Sequence, residues 1–129
     1  MKAILVLSGL LLASCLTSGG INQNRLVGKW RSTGERHTAE YLFLGNGTFS
    51  GSVSSGAAVV SQFVGKWSVS GDSILYEYVR DIKGTIPAGT KDRDTLVAVA
   101  KDHYIIEAAD GSRRKYVRIS AIPAREKVL

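Results

Sequence analysis

Apolar and polar residues alternate with a period of two along much of the chain that follows Leu26. The alternation covers residues 26–31 and 38–43, and it restarts at Thr48 after the turn sequence Gly45-Asn46-Gly47. A period of two is typical of a β-strand that buries one face, and a turn rich in glycine and asparagine joins two such strands. Outside the first fifteen residues no window has the apolar spacing of an amphipathic helix. The pattern therefore predicts a β-hairpin.

The rest of the chain predicts further strands separated by short turns. Alternation or apolar runs mark residues 59–70, 73–80, 94–100, 103–108 and 113–119, with turns at 71–72, 101–102 and 110–111. Residues 50–58 are small and polar, which predicts a weak edge strand followed by a loop. Residues 81–92, with Pro87 between glycines, form the longest predicted loop.

About eight short strands joined by tight turns predict an all-β fold built as an antiparallel meander. A chain of this length closes into a small barrel or folds as a two-layer sandwich. We favour the barrel because closure removes the exposed strand edges that invite aggregation. Residues 26–120 are accordingly predicted to form one barrel domain, and residues 121–129 a polar tail.

The first fourteen residues form a segment of another kind. Lys2 supplies a positive charge, residues 3–12 are apolar apart from Ser8 and Gly9, and small residues precede Cys15. This combination is typical of a secretory signal peptide. Ten helical residues reach only about 15 Å, roughly half the thickness of the hydrocarbon layer, so the segment is too short for a stable transmembrane helix.

The sequence Leu12-Ala13-Ser14-Cys15 resembles the lipobox of bacterial lipoproteins. The resemblance implies that the leader 1–14 is removed, that Cys15 is acylated, and that residues 15–25 tether the domain to a membrane. Two or more acyl chains hold a protein on a bilayer almost permanently. The resemblance also implies a place in the cell envelope, and Leu16 favours the outer membrane. An ordinary secreted protein with an incidental cysteine is the alternative.

Composition adds limits on stability and on partners. The chain has one cysteine, which lipidation would use, so packing must stabilise the mature domain without a disulfide. The formal net charge is +6, which suits anionic lipid headgroups, glycans or an acidic envelope protein. Nucleic acid is not expected as a partner outside the cytoplasm. Basic charge spread over a solvated surface is the simpler explanation of the same balance.

The tetrapeptide Val-Gly-Lys-Trp occurs twice, at residues 27–30 and 64–67. Two copies in different contexts do not make a repeat array. Their glycines are expected to let the indoles of Trp30 and Trp67 lie against neighbouring backbone. The indoles would then plug one end of the barrel or contact a ligand.

Gly28-Lys29-Trp30 resembles the Gly-x-Trp signature of the lipocalin-like (calycin) β-barrels, and residues 41–49 and 65–72 resemble small bacterial lipocalin-like lipoprotein domains. The resemblance spans residues 26–119. It implies a barrel that binds a small apolar ligand in its interior. Because the chain is much shorter than full-length members and lacks their disulfide, a barrel filled by its own side chains is the favoured alternative.

No pattern predicts an enzyme, a metal site or a cofactor. The two histidines, His37 and His103, lie far apart in sequence with no cysteine nearby, whereas zinc sites need three or four such ligands. The sequence contains no Gly-x-Ser-x-Gly motif, and glutamates on the predicted strands are explained as outward-facing charges.

The last predicted strand concentrates positive charge. Val117 and Ile119 are expected to face inward, and the strand's polar side chains would form a surface that binds a partner protein or an anion. This surface comprises Arg113, Arg114, Lys115, Tyr116 and Arg118, of which Arg114, Tyr116 and Arg118 are expected to face outward. Guanidinium groups bind carboxylate and phosphate with paired hydrogen bonds. A solvated strand that resists aggregation is the simpler alternative.

These observations predict a lipoprotein of the cell envelope whose small barrel is a binding or structural module. A periplasmic inhibitor of a hydrolase, of the protease or lysozyme type, is an alternative in which the loop over residues 81–92 enters the enzyme. A lipoprotein subunit of a secretion or transfer apparatus is another alternative.

Overall fold

A computed structural model of the protein describes residues 20–120, which form a short 3₁₀ helix and eight β-strands. The helix is Gln23–Leu26, and the strands are β1 (Gly28–Thr33), β2 (Thr38–Phe43), β3 (Thr48–Ser55), β4 (Ala58–Ser70), β5 (Ser73–Asp81), β6 (Lys91–Val99), β7 (His103–Glu107) and β8 (Arg113–Ser120). Across this part of the chain no helix is long and apolar enough to cross a bilayer. The predicted leader, Cys15 and the predicted tail lie outside the described residues.

Each strand pairs antiparallel with the next strand along the chain, and β8 returns to pair with β1. The sheet is therefore a closed barrel of eight strands. This confirms the predicted all-β antiparallel barrel and excludes the two-layer sandwich. The pairing that closes the barrel is short, because β1 and β8 are paired only from Lys29 and Ser120 to Arg31 and Val117.

Consecutive strands run in opposite directions, so their connections alternate between the two ends of the barrel. The 3₁₀ helix and the turns after β2, β4 and β6 lie at one end, which we call the closed end. Leu26 of the helix is fully buried there, and Ile21 packs against the core. The connections after β1, β3, β5 and β7 lie at the other end, which we call the open end.

Aromatic side chains fill the interior of the barrel. The chain has ten aromatic residues, and all of them belong to the core or pack against it. The closest ring pairs join Phe43 to Trp67 at 4.6 Å between centroids, Trp30 to Tyr104 at 4.8 Å, and Tyr104 to Tyr116 at 4.9 Å. Aromatic pairs of this kind add stabilisation beyond their buried area. The centre of the barrel is therefore a packed core.

Residues 50–58 differ from the weak edge strand and loop that their composition predicts. They continue β3 and begin β4, with only Gly56 and Ala57 between the two strands. β3 pairs with β2 over six residues and with β4 over eight. Backbone hydrogen bonds to strands on both sides hold this stretch in the sheet, and those bonds do not require bulky side chains.

The two faces of β8 are the reverse of the prediction. Tyr116 is only 3% exposed, and Arg118 on the same face is partly buried. Val117 and Ile119, which were expected to face inward, are 45% and 37% exposed. Tyr116 faces inward because its ring stacks on Tyr104 of the neighbouring strand. The prediction is wrong because a tyrosine ring buries more apolar surface than a valine. Once Tyr116 faces inward, the alternation of side chains along the strand places Val117 and Ile119 on the outer face.

The segment before Leu26 belongs to the folded domain, although residues up to 25 were predicted to be tether. The Ile21 N–H donates to the Gly71 carbonyl at 3.0 Å. The Gln23 side-chain oxygen accepts from the Val69 N–H at 3.1 Å. These contacts dock residues 20–26 on the turn after β4, where they cover the closed end.

Candidate functional site

Arg118 joins the last strand to the start of the domain at the closed end. Its guanidinium lies 4.2 Å from the centre of the Trp30 ring. It also donates to three backbone carbonyls, those of Lys101 at 2.8 Å, Val27 at 2.7 Å and Arg25 at 2.9 Å. Because these contacts use all three guanidinium nitrogens, Arg118 acts as a structural clasp. Its predicted place on a partner-binding surface is therefore wrong.

Both tryptophans lie in the packed half of the barrel next to the closed end. Trp30 Nε1 donates to the Leu26 carbonyl at 2.9 Å, and Trp67 Nε1 donates to the Leu44 carbonyl at 3.0 Å. Each indole is thus buried with its N–H hydrogen-bonded, as buried tryptophans usually are. Their contact with a ligand stays a prediction.

The glycines of the two Val-Gly-Lys-Trp copies make room for groups other than the indoles. A Cβ on Gly28 would collide with the Arg118 guanidinium. A Cβ on Gly65 would collide with the Glu77 backbone and lie 2.8 Å from the Phe49 ring. The expectation that these glycines serve the tryptophans is therefore wrong. Each glycine allows a different group to come close: the Arg118 guanidinium at Gly28, and the Glu77 backbone at Gly65.

A pocket of about 580 Å³ lies at the open end, where β1 and β8 part. Pairing between these strands stops at Arg31 and Val117, although β8 begins four residues earlier, at Arg113. We call this cavity the mouth pocket. It is lined by residues 32–37 of β1 and the following turn, by Ala39 and Val53, and by residues 113–115 of β8.

The mouth pocket brings together only part of the predicted basic surface. Arg113, Arg114 and Lys115 line it. Tyr116 does not, because its ring is buried in the core, and the exposed tyrosine expected for the surface is therefore wrong.

Two further basic residues, Arg36 and His37, line the same pocket. Arg36 was not singled out from the sequence, and His37 was considered only as a metal ligand. They lie in the turn after β1, about eighty residues before β8. Barrel closure alone makes these two segments neighbours. In the sequence they appear only as two adjacent basic residues in a short turn. Their role becomes visible once residues 113–115 of β8 are known to lie opposite them.

Positive charge in the mouth pocket is only partly neutralised. Arg113 Nε lies 3.0 Å from Glu107 Oε1. The other three cationic side chains make no ion pair within residues 20–120; they are Arg36, Arg114 and Lys115. Glu35 is the one acidic residue in the lining. The pocket therefore presents an excess of positive charge to solvent.

The barrel interior near the open end holds a carboxylate among tyrosine hydroxyls. Tyr76 Oη donates to Asp94 Oδ2 at 3.0 Å. Burial raises the pKa of Asp94; Asp92 raises it further, whereas the Tyr76 hydrogen bond and Arg114 oppose the rise. The Tyr104 hydroxyl is buried and makes no hydrogen bond to any group in the described part of the chain. Asp94 is half-buried, and the Tyr76 and Tyr104 rings beside it belong to the core.

Asp81 braces the loop over residues 82–90 at the open end. Its side chain, in a residue only 8% exposed, accepts hydrogen bonds from the backbone N–H groups of Lys83 at 3.1 Å, Thr85 at 2.7 Å and Ile86 at 2.8 Å. Burial by itself would raise the pKa of Asp81, but these hydrogen bonds lower the pKa below its usual value. Ile86 packs against the core. The first half of the loop is therefore tied to Asp81 and to the core.

The histidines lie in different places. His37 lines the mouth pocket, and His103 Nδ1 lies 2.8 Å from Asp102 Oδ1 near the closed end. Over residues 20–120, no three side chains of the types that bind metals come together.

Comparisons with known proteins bear on the fold. No protein-family model matches the chain, and no curated protein matches it. A crystal structure of a lipocalin-like protein from Bacteroides uniformis matches with a TM-score of 0.56 and 18% sequence identity, over 74% of this chain and 99% of that one. The fold is a lipocalin-like β-barrel. At this identity the likeness concerns the fold alone, and within this lipocalin-like barrel the mouth pocket is the candidate binding site.

Proposed function

We propose that this protein is a lipoprotein of the cell envelope whose barrel is a binding module that holds its ligand at the open end. The observation that carries the binding role is the contrast between the two ends. The closed end is covered by the 3₁₀ helix and packed around Trp30, whereas the open end has a mouth pocket of about 580 Å³. Pockets of roughly 300–1,000 Å³ are usual for small ligands.

The proposed anchor is an acylated Cys15, and the path of the chain supports one orientation on the membrane. Five residue steps from Cys15 to Gly20 span at most about 18 Å. Ile21 is bound to Gly71 at the closed end. β4 has 13 residues, so at the usual strand tilt its open-end tip lies about 30 Å away. A link this short favours a closed end near the membrane and a mouth pocket facing water.

A pair of single-cysteine labels tests this orientation in the full-length lipidated protein. Ala57→Cys labels the tip before β4, and Ser70→Cys labels its other end, while acylation blocks Cys15. In vesicles that carry a quencher on the lipid headgroup, we expect the label at position 70 to be quenched several-fold more than the label at 57. The same labels on unanchored Cys15→Ala protein should show no quenching. Equal quenching of the two anchored labels would contradict the orientation.

The mass of the mature N-terminus, measured on protein from the native host, tests the anchor itself. We expect a chain that begins at Cys15 and carries acyl groups. An unmodified Cys15, or cleavage elsewhere, would overturn the lipoprotein assignment without affecting the binding role of the barrel. Leu16 supports the outer membrane as the destination, which membrane fractionation checks.

A second candidate function is inhibition of an envelope hydrolase by the loop over residues 82–90. The observation that favours it is the brace at Asp81, because a preformed loop loses little conformational entropy on binding. Ile82, at 54% exposed, is the large aliphatic side chain that this loop presents to solvent. In protease and lysozyme assays, an inhibitor of this kind should lose potency with Ile82→Ser and keep it with Arg114→Gln. Absence of inhibition by the wild-type protein would remove this candidate.

A further inference from the structure

We propose that the mouth pocket binds an organic anion whose carboxylate or phosphate group is held by Arg36 and Arg114. The inference deepens the proposed binding role and rests on it. It names the class of ligand and the side chains that select it.

The pocket has two walls that come from distant parts of the sequence. On one side, β8 extends over residues 113–116 beyond its last pair with β1. This extension still pairs with β7, so its basic side chains stand on an ordered strand. On the other side, the turn after Thr33 carries Arg36 into the lining. Cationic groups on both walls therefore face one volume, as an enclosed anion requires.

The charges that an anion would meet are those without a carboxylate partner in residues 20–120. Arg113 is bound to Glu107, and Arg118 is committed to the closed end, so neither is free for a ligand. Arg36, Arg114 and the neighbouring Lys115 have no carboxylate within 4.0 Å in residues 20–120. Against Glu35 they leave the pocket with a net positive charge. An anionic group would supply the missing counterion.

Arg114 is the side chain that we expect to contribute most to the selection of the ligand. It lies on the inward-facing side of β8, two residues before the buried Tyr116. Arg114 opposes the rise in the pKa of Tyr116, through a side-chain hydrogen bond and its charge, and its charge also lowers the pKa of Asp94, so its guanidinium lies near the border between the core and the pocket. It nevertheless forms no ion pair with Asp94. A guanidinium in this position can offer two parallel N–H groups to a carboxylate or phosphate.

The floor of the pocket indicates that the ligand has an apolar part. Ala39 is buried and Val53 is partly buried, and both pack in the core while lining the pocket. A free inorganic ion would leave this apolar surface exposed to water. An anion with a short hydrocarbon body would cover it, which adds a hydrophobic contribution to the charge interaction. The pocket therefore favours a small organic acid or phosphate ester.

Calorimetric titration of the full-length protein with hexanoate, hexyl phosphate and hexanol tests the ligand class, because the three probes share one alkyl chain. We expect both anions to bind and hexanol to bind at least about ten-fold more weakly, since charged hydrogen bonds are the stronger ones. Binding of the anions should weaken as salt is raised. Amide NMR shifts at His37, Ala39 and Val53 should locate the site.

Three variants test the side chains. Arg114→Gln and Arg36→Gln should each weaken hexanoate binding about ten-fold, because each removes a charged donor. Arg93→Gln is the matched control: it removes the same charge from an exposed residue near the open end of β6, outside the pocket. Its affinity for hexanoate should stay within about two-fold of the wild-type value. Thermal melts should show all three variants folded.

Several outcomes would overturn the anion site. Equal affinity for hexanol and hexanoate would do so while supporting a binding module that takes apolar ligands at the open end. Equal losses in Arg93→Gln and Arg114→Gln would show general attraction to a basic protein. Failure of all three probes to bind to folded protein would overturn the anion site and count against the binding role as well. The lipid anchor is judged separately, from the mass of the N-terminus.

Discussion

Arg114 and Arg118 lie on the same face of one strand, yet they have different roles. Arg118 donates to three carbonyls and covers Trp30, so its charge is used to close the barrel. Arg114 makes no ion pair within residues 20–120 and lines the mouth pocket. In the sequence both belong to one basic cluster. The difference depends on which acceptors the closed barrel brings near each side chain.

Replacing the Arg118 clasp should destabilise the fold. Arg118→Gln loses the guanidinium fork and its contact with the Trp30 ring, and we expect a fall of about 3 kcal/mol in the free energy of unfolding. Arg118→Lys, which keeps the charge but not the fork, should also lose stability, by about 2 kcal/mol. Urea denaturation measures both. Arg93→Gln is the control, with an expected change within about 0.5 kcal/mol. An unchanged free energy of unfolding in Arg118→Gln would contradict the structural role of the clasp.

A pair of glycine substitutions tests the close approach between β4 and β5. Gly65→Ala should lower the free energy of unfolding by about 1–3 kcal/mol or more, because its Cβ would collide with the Glu77 backbone, which cannot move aside cheaply. Gly45→Ala lies in a turn with no heavy atom within 4 Å of the new Cβ, and it should change stability by less than about 0.5 kcal/mol. Equal effects in urea denaturation would show that the approach at Gly65 is not tight.

At the scale of elements, the loop over residues 82–90 depends on one ionised side chain. The pKa of Asp81 is lowered in the folded state, so its stabilising effect is complete above the unfolded-state pKa of about 3.9. That effect is lost as the pH falls through the lower folded-state pKa. We therefore expect the amides of Thr85 and Ile86 to lose hydrogen-exchange protection at acid pH.

The variant Asp81→Asn should show reduced protection of the same two amides already at neutral pH, because a neutral amide oxygen accepts more weakly than a carboxylate. Asp110→Asn is the matched control. Asp110 accepts from the Ser112 N–H at 2.9 Å in the turn after β7, so its loss should affect Ser112 and leave Ile86 unchanged. Unchanged protection at Ile86 in Asp81→Asn would mean that packing alone holds the loop.

Elements also show where prediction from the sequence succeeds and where it fails. Strong alternation located β2 and β5 within about one residue, because apolar and polar residues there follow the two faces of the sheet. β3 was predicted only weakly, since pairing on both sides holds it and side-chain bulk does not. The predicted orientation of β8 was wrong because Val117 and Ile119 lie outside the barrel, whereas Tyr116 lies inside it.

At the scale of the molecule, all five tyrosines lie inside the barrel, which predicts resistance to alkaline titration. Burial raises the pKa of each tyrosine, and that of Tyr78 reaches about 12. In the unfolded chain tyrosine loses its proton near pH 10. The stability tied to protonated tyrosines is therefore complete below about pH 10 and is lost as the pH rises toward the folded-state pKa values.

We expect the tyrosinate absorbance of the folded protein to stay low somewhat above pH 10 and then to rise together with unfolding. The protein in concentrated urea, where the hydroxyls are exposed, should titrate near pH 10 and serves as the control. A fraction of tyrosine that titrates near pH 10 before unfolding would place at least one hydroxyl in water. Circular dichroism recorded alongside the titration separates the two events.

The candidate site belongs to the whole molecule, because no single element contains it. Arg36 comes from the first hairpin and Arg114 from the last strand, and they share a pocket because β8 returns to β1 but leaves it after Val117. The sequence analysis identified Arg113, Arg114 and Lys115 from local charge density alone. It could not find Arg36, whose neighbours in sequence give no sign of what lies opposite.

Local patterns in the sequence predict that the domain is all-β, that its strands follow one another as a meander, and roughly where they begin and end. Period-two alternation and turn residues are local, so they can be read without knowledge of distant contacts. The folded chain is needed to show which face of β8 is inside, which arginine closes the barrel, and which basic residues share a pocket. Those features depend on contacts between segments up to 93 residues apart, and on whether an aromatic ring or an aliphatic side chain fills the limited space at the centre.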